Sequence, residues 1–174
     1  MSTDSDIIRN KISEIKNDKL KIINRSEETA TDTAPTELAM LEFAENNLFN
    51  EVILIQATSP LLKTQHLEEG INKYDQSDCD SLLSLVRQKK FIWDRKGDQF
   101  KSINYNPLNR PMRQEFKGIL TENGAFYITS RERLLKTKCR ISGKIEGYEM
   151  PEENYFDLDE PLEWLIIELL LKKR

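Results

Sequence analysis

Apolar residues recur along this chain in two rhythms, one of helical spacing and one of continuous short runs. Ile7, Ile8, Ile12 and Ile15 make a helical stripe that predicts a helix over 5–16, and the apolar run at 20–23 predicts a short strand behind the polar "KNDK". A second helix is predicted over 36–46. The run at 51–56 is apolar almost throughout, as in strands of a parallel sheet covered on both faces. Thr64 can N-cap a helix that carries Leu67, Ile71 and Tyr74 on one side. Strands are predicted next at 81–86, 125–128 and 144–149, with a helix starting near Ser130 and an apolar helix closing the chain. Strands alternating with helices of this length predict an α/β fold, a three-layer sandwich around a mostly parallel sheet, with ligands at the carboxyl ends of the strands.

One stretch interrupts the alternation. Residues 87–117 are basic, aromatic and rich in turn formers, and "DRKGDQ" predicts a hairpin between 91–93 and 100–102. Trp93, Tyr105, Leu108 and Met112 are too apolar for a free loop, so this arm is expected to pack on something, a second subunit included.

Composition adds limits. With 174 residues, 32% of them charged and 38% hydrophobic, the chain fits one domain spanning 1–174 with a sizeable core. A net charge of −4 argues against wholesale binding of nucleic acid or an anionic membrane and leaves room for a local basic pocket. No apolar span is long enough to cross a membrane and no signal peptide is present, so Cys79 and Cys139 read as reduced thiols and the location as cytoplasmic. His66, the single histidine, falls at a helix start and makes a poor member of a catalytic triad.

Two stretches carry candidate chemistry. "QATSP" ends the strand at 51–56, where the Gln56 amide can both donate to and accept from a polyhydroxylated ligand; the bland reading is a helix-entry turn. Asp157 and Asp159 lie two apart, ahead of Pro161. In an extended strand both would face the same way, with Leu158 turned into the core. Such a pair is tolerated if solvent screens it, if one member is protonated, or if a cation sits between the two; a helix N-cap is the other reading.

Taken together, the motifs resemble one family. "IQATSPLL" resembles the "LQPTSPLR" signature of the cytidylyltransferases that activate sialic acid and related nonulosonic acids. "NRPMRQEF…ENGAFYI…GKIEGYEMP…FDLDEP" resembles their later motif series in order and spacing, and "NRSEETATDTAPT" resembles an earlier segment. The resemblance implies a nucleotide-diphospho-sugar transferase type of fold and a nucleotidyltransferase that joins CTP to a nonulosonic acid, giving CMP-sugar and pyrophosphate with Mg²⁺ as cofactor. It assigns Arg25, Ala34 and Thr36 to the nucleotide. Gln56, Arg113, Asn123 and Tyr127 go to the sugar, with Arg113 on its carboxylate, and Asp157 and Asp159 to the metal, which makes Asp157, Asp159 and Arg113 the catalytic set. It also implies a homodimer in which the arm at 87–117 reaches toward the neighbouring site.

Ala57 and Leu62 depart from the family's usual Pro and Arg. A larger departure is that no phosphate-binding stretch of the form "IPARxGSKxxxxKN" occurs in these residues. The resemblance therefore implies an amino-terminally truncated fold and weak binding of CTP by this chain alone. The alternative function is a catalytically inactive sugar-binding or dimerisation partner of such an enzyme.

Overall fold

The apolar run at 51–56 forms a strand, β1 (Glu51–Ile55), and so do most of the segments that follow it. A computed structural model describes residues 1–173. Its elements are α1 (Asp6–Ser13), α2 (Thr36–Asn46), β1, α3 (Thr64–Gln76), β2 (Ser81–Gln88), β3 (Trp93–Lys96), β4 (Gln99–Ser102), β5 (Ile119–Ser130), α4 (Arg131–Thr137), β6 (Ile145–Met150) and α5 (Pro161–Lys172). The described residues divide into two compact units, 1–52 with 130–140, and 53–129 with 141–173.

In the first unit α2 lies against α4. Arg131 ties them, its Nε donating to the carbonyls of Ala44 at 2.9 Å and Asn47 at 3.0 Å, and its N–H donating to Asn50. Ser130 caps α4 by accepting the Arg133 N–H. The strand predicted at 20–23 does not form. Asn17 closes a turn there by accepting the N–H groups of Lys19 and Leu20, which leaves one parallel bridge between Ser2 and Ile23. The first helix is shorter than its stripe, because Ile15 lies beyond the cap at Glu14.

A four-stranded sheet runs in the order β1-β5-β2-β6, and it is mixed. β2 and β6 are parallel, with Ser81 opposite Ile145 and Val86 opposite Met150. β5 is antiparallel to β2, since the chain between them returns through the arm and not through a helical crossover. Leu82, Val86, Ala125, Phe126, Ile128, Tyr148 and Met150 form the core of the second unit, and Leu67, Ile71 and Tyr74 of α3 pack onto it. Thr64 is the first residue of α3 and not its cap, which is Lys63. His66 is buried and accepts the Lys63 N–H at 3.3 Å, a helix-start role.

The arm holds its predicted hairpin, shifted toward the turn: Trp93 pairs with Ser102 and Lys96 with Gln99 around Gly97. Behind it Phe91 stacks on Tyr105 at 4.5 Å and on Phe116 at 4.7 Å, with the Arg110 guanidinium over its ring. Those contacts give the arm an aromatic centre of its own. Phe100, Leu108 and Met112 stay exposed. No helix among the described residues is long and apolar enough to cross a membrane.

Candidate active site

β5 is the element that builds the site. It is twelve residues long, far longer than the strand predicted at 125–128, because a bulge in its middle breaks the alternation by which strands are recognised. Leu85 of β2 stands opposite Glu122, and Leu83 opposite Tyr127. Between them Gly124 adopts a left-handed conformation with φ 71°, and the Phe126 N–H is held by Ser84 Oγ at 3.0 Å. This bulge turns several side chains into one cleft.

That cleft has a volume of about 370 Å³ and contains Glu122, Asn123, Tyr127, Tyr155, Asp157 and Glu163 in its walls. Three of the sequence-predicted residues, Asn123, Tyr127 and Asp157, meet there. Asn123 is 7% exposed; its Nδ2 donates to the Asn154 carbonyl at 2.9 Å and to Met150 Sδ at 3.3 Å, and its Oδ1 has no hydrogen-bond partner. The Tyr127 hydroxyl donates to Glu122 Oε1. Asp159, two residues on, lies close enough for its charge to act on the Asp157 carboxyl.

The two aspartates do not sit on a strand. They lie in an irregular segment between a 3-10 turn at Glu152–Tyr155 and α5, where the Leu158 N–H donates to the Thr58 carbonyl at 2.9 Å. Leu158 is half-buried. Thr58 belongs to "QATSP", so the turn after β1 and the aspartate segment are stitched together. Gln56 is half-buried at the head of that turn; its N–H donates to the Ala125 carbonyl and its own carbonyl accepts the Ser59 N–H. Asp159 is not the cap of α5, because Glu160 takes that place and Glu163 accepts its N–H at 3.1 Å.

Burial pushes the Asp157 carboxyl above the ordinary carboxylate range, and the charges of Asp159 and Glu163 push it the same way. Such crowding of carboxylates is what a bound cation relieves. Among the described residues no three His, Cys, Asp or Glu side chains are placed to hold a metal ion. A hard cation such as Mg²⁺ asks for fewer protein ligands than that, one or two carboxylates, with the rest of its shell from water and substrate phosphates.

Arg113 lies elsewhere. It is exposed and lines a second cleft, of about 600 Å³, with Arg87, Lys89 and Glu149. Arg87 grips Glu149 through two bonds of 2.7 and 2.6 Å, which hold Glu149 below the ordinary carboxylate range, while Arg113 has no carboxylate partner among the described residues. In the first unit, Arg25 is half-buried and donates from Nε to Ser2 Oγ at 3.1 Å; Ala34 closes a turn onto Thr31, and Thr36 begins α2. Glu42 organises the loop after Arg25: it accepts from Thr29 Oγ1 at 2.7 Å and from the Ser26 N–H, bonds that lower its carboxyl below the ordinary range.

A family model described as cytidylyltransferase matches residues 1–164. The chain belongs to the cytidylyltransferase family. Among similar members, N-acylneuraminate cytidylyltransferase A of Danio rerio is 35% identical over 153 residues, 85% of this chain and 35% of that protein. The N-acylneuraminate cytidylyltransferase of Oncorhynchus mykiss is 36% identical over the same length, and that of Streptococcus agalactiae serotype V is 27% identical over 164 residues, 91% of this chain and 39% of that one. The chain thus spans little more than a third of the length of these relatives. In fold it is similar to 4-diphosphocytidyl-2C-methyl-D-erythritol synthase of Anaerococcus prevotii, with a TM-score of 0.67 at 10% identity over 96% of this chain and 76% of that one. It is also similar to HddC of Yersinia pseudotuberculosis, with a TM-score of 0.55 at 14% identity over 97% of this chain and 76% of the other.

The family motifs pointed to Asn123, Tyr127 and the aspartates. They assigned no role to Glu122 or Glu163, the other two carboxylates of the cleft. Glu163 could have been found as the third helical residue after Glu160-Pro161, a capping-box position. Glu122 opens the motif "ENGAFYI", yet its contact with Tyr127 could not be read there, since five residues along a strand separate the two and only the bulge joins them.

Proposed function

We propose that this cytidylyltransferase-family chain serves the activation of a nonulosonic acid: the anomeric hydroxyl of the sugar attacks the α-phosphate of CTP, CMP-sugar forms and pyrophosphate leaves. The observation that carries the reading is the meeting of Asn123, Tyr127 and Asp157 in one cleft. Asn123 and Tyr127 are suited to sugar hydroxyls, and Gln56 stands at the head of the turn stitched to the aspartate segment. Arg25, Ala34 and Thr36 are assigned to the nucleotide. Asp157 and Asp159 would hold Mg²⁺, which when bound supplies positive charge against the phosphoryl oxygens. The rest is positioning, for in-line displacement at phosphorus asks mainly for alignment and charge.

Arg113 fits this reading if its guanidinium serves the sugar carboxylate of a neighbouring site in a homodimer. Between 87 and 117 the chain carries nine Lys and Arg against three Asp and Glu, and Leu108 on the same arm is 95% exposed, both suited to an acidic, partly apolar partner surface.

The test is turnover. This chain is incubated with CTP, Mg²⁺ and N-acetylneuraminate, alone and with a polypeptide that carries the family's phosphate-binding loop, and phosphorus NMR follows CMP-sugar and pyrophosphate. The reading predicts product in the complemented reaction and its loss on Asp157→Asn. Sugar binding without product in either reaction would favour the inactive partner instead.

A further inference from the structure

Residues five apart on a regular strand lie about 16 Å from each other and on opposite faces, because each residue adds about 3.3 Å and side chains alternate. Glu122 and Tyr127 are five apart on β5, yet the phenol donates directly to the carboxylate. The bulge makes this possible. Asn123 to Phe126 answer to the single residue Ser84 on β2, the left-handed Gly124 reverses the strand locally, and Ser84 Oγ fastens the far side of the loop. Both side chains then line the same cleft.

The hydrogens in that cleft are already committed. Tyr127 gives its proton to Glu122, and Asn123 gives its amide hydrogens to Asn154 and Met150. The Asn123 Oδ1, on a side chain that is only 7% exposed, is left without a donor. All charged side chains of the cleft are carboxylates, namely Glu122, Asp157 and Glu163. A phenol whose hydrogen is held by a carboxylate can face a ligand only as an acceptor, and the same is true of an amide oxygen. A buried acceptor without a donor is costly, so the arrangement calls for a ligand that brings donors.

We propose that Glu122 is a positioning residue, which holds the Tyr127 hydroxyl as an acceptor so that the cleft takes the donor-rich end of the sugar, its hydroxyl or ammonium groups, and turns the carboxylate away. The inference rests on the functional reading above and adds which end of the substrate this cleft selects. A sugar acid entering with its carboxylate first would meet Glu122 and Glu163, two groups of its own sign that are not assigned to the metal. Polyol hydroxyls, by contrast, meet the phenol oxygen, the Asn123 oxygen and these two carboxylates as partners.

Calorimetry with N-acetylneuraminate on four proteins tests this: wild type, Glu122→Leu, which has no acceptor for the phenol, Tyr127→Phe and the double variant. Each single variant should bind about tenfold more weakly, and the double variant no more weakly than Tyr127→Phe, because Glu122 acts through the phenol. A low-field hydroxyl-proton resonance from Tyr127, present in the free wild type and absent from Glu122→Leu, provides a reading that loss of fold alone would not mimic once the dispersed backbone spectrum is retained. Glu122→Leu binding as tightly as wild type, or losses that multiply in the double variant, would overturn the inference and leave the functional reading standing. Failure of the wild type to bind the sugar would overturn both.

Discussion

Gly124→Ala isolates the bulge on which the site depends. An added Cβ would meet nothing nearer than the Tyr127 hydroxyl at 4.0 Å, so space is not the obstacle. The backbone is. At φ 71° an L side chain incurs about 1–2 kcal/mol of left-handed strain, offset by about 0.4–1 kcal/mol from the reduced freedom of the unfolded chain. The balance is a loss of about 1 kcal/mol, which for a chain of this size lowers the melting temperature by about 2–4 °C. Gly124→Asn, whose side chain tolerates the left-handed region, should lose much less. Thermal denaturation followed by circular dichroism reads both variants, and sugar binding reads the consequence: if the alanine chain escapes strain by flattening the bulge, Glu122 and Tyr127 part and affinity falls with stability. An alanine variant that melts at or above the wild-type temperature and binds sugar normally would refute the reasoning.

Other substitutions test separate parts of the account. Gly70→Ala should destabilise although helix propensity alone favours it by about 1 kcal/mol, because the new Cβ would stand 2.6 Å from the Cζ of the fully buried Phe126 and overpacking costs about 1–3 kcal/mol; a raised melting temperature would show that the ring can yield. Tyr148 donates to Glu69 at 2.5 Å and holds that carboxyl below its ordinary range, so the contribution of Glu69 is present above about pH 4.3 and lost as pH falls further. Burial, with Glu69, raises the Tyr148 phenol, so its contribution is present below about pH 10 and lost as pH rises beyond that. Tyr148→Phe should flatten both limbs of a plot of urea midpoint against pH, and unchanged limbs would contradict the pairing. Asp157→Asn and Asp159→Asn should each cut CMP transfer by about a hundredfold or more with the circular dichroism spectrum intact, and wild-type turnover at limiting Mg²⁺ would remove the metal assignment.

Local chemistry explains what was legible in the sequence. Pro35 before Thr36 fixes one end of α2 and the polar "NN" the other, so its bounds follow from the residues alone. The Gly97 turn marks the arm's hairpin in the same way, and Ser130 marks the start of α4. What stayed hidden depends on non-local pairing. The run at 20–23 has strand composition, yet Asn17 folds the preceding residues into a turn and leaves Ile23 with one bridge. β5 reads as a short strand because its bulge places Glu122 and Tyr127 together against the period of two. The aspartate pair was expected on a strand, and it converges instead in an irregular segment pinned by the Leu158 N–H to Thr58. The family motifs located three residues of the cleft, while Arg113, found by the same motifs, lines another.

The central claim is that the cleft beside the β5 bulge binds a nonulosonic acid, and saturation-transfer NMR of N-acetylneuraminate on this chain tests it most directly. The account predicts transfer to the protons of the hydroxylated side chain of the sugar in the wild type and its loss in Asn123→Ala, where the cleft's unpartnered amide oxygen is removed. Equal transfer in the two proteins, or none in the wild type, would contradict it.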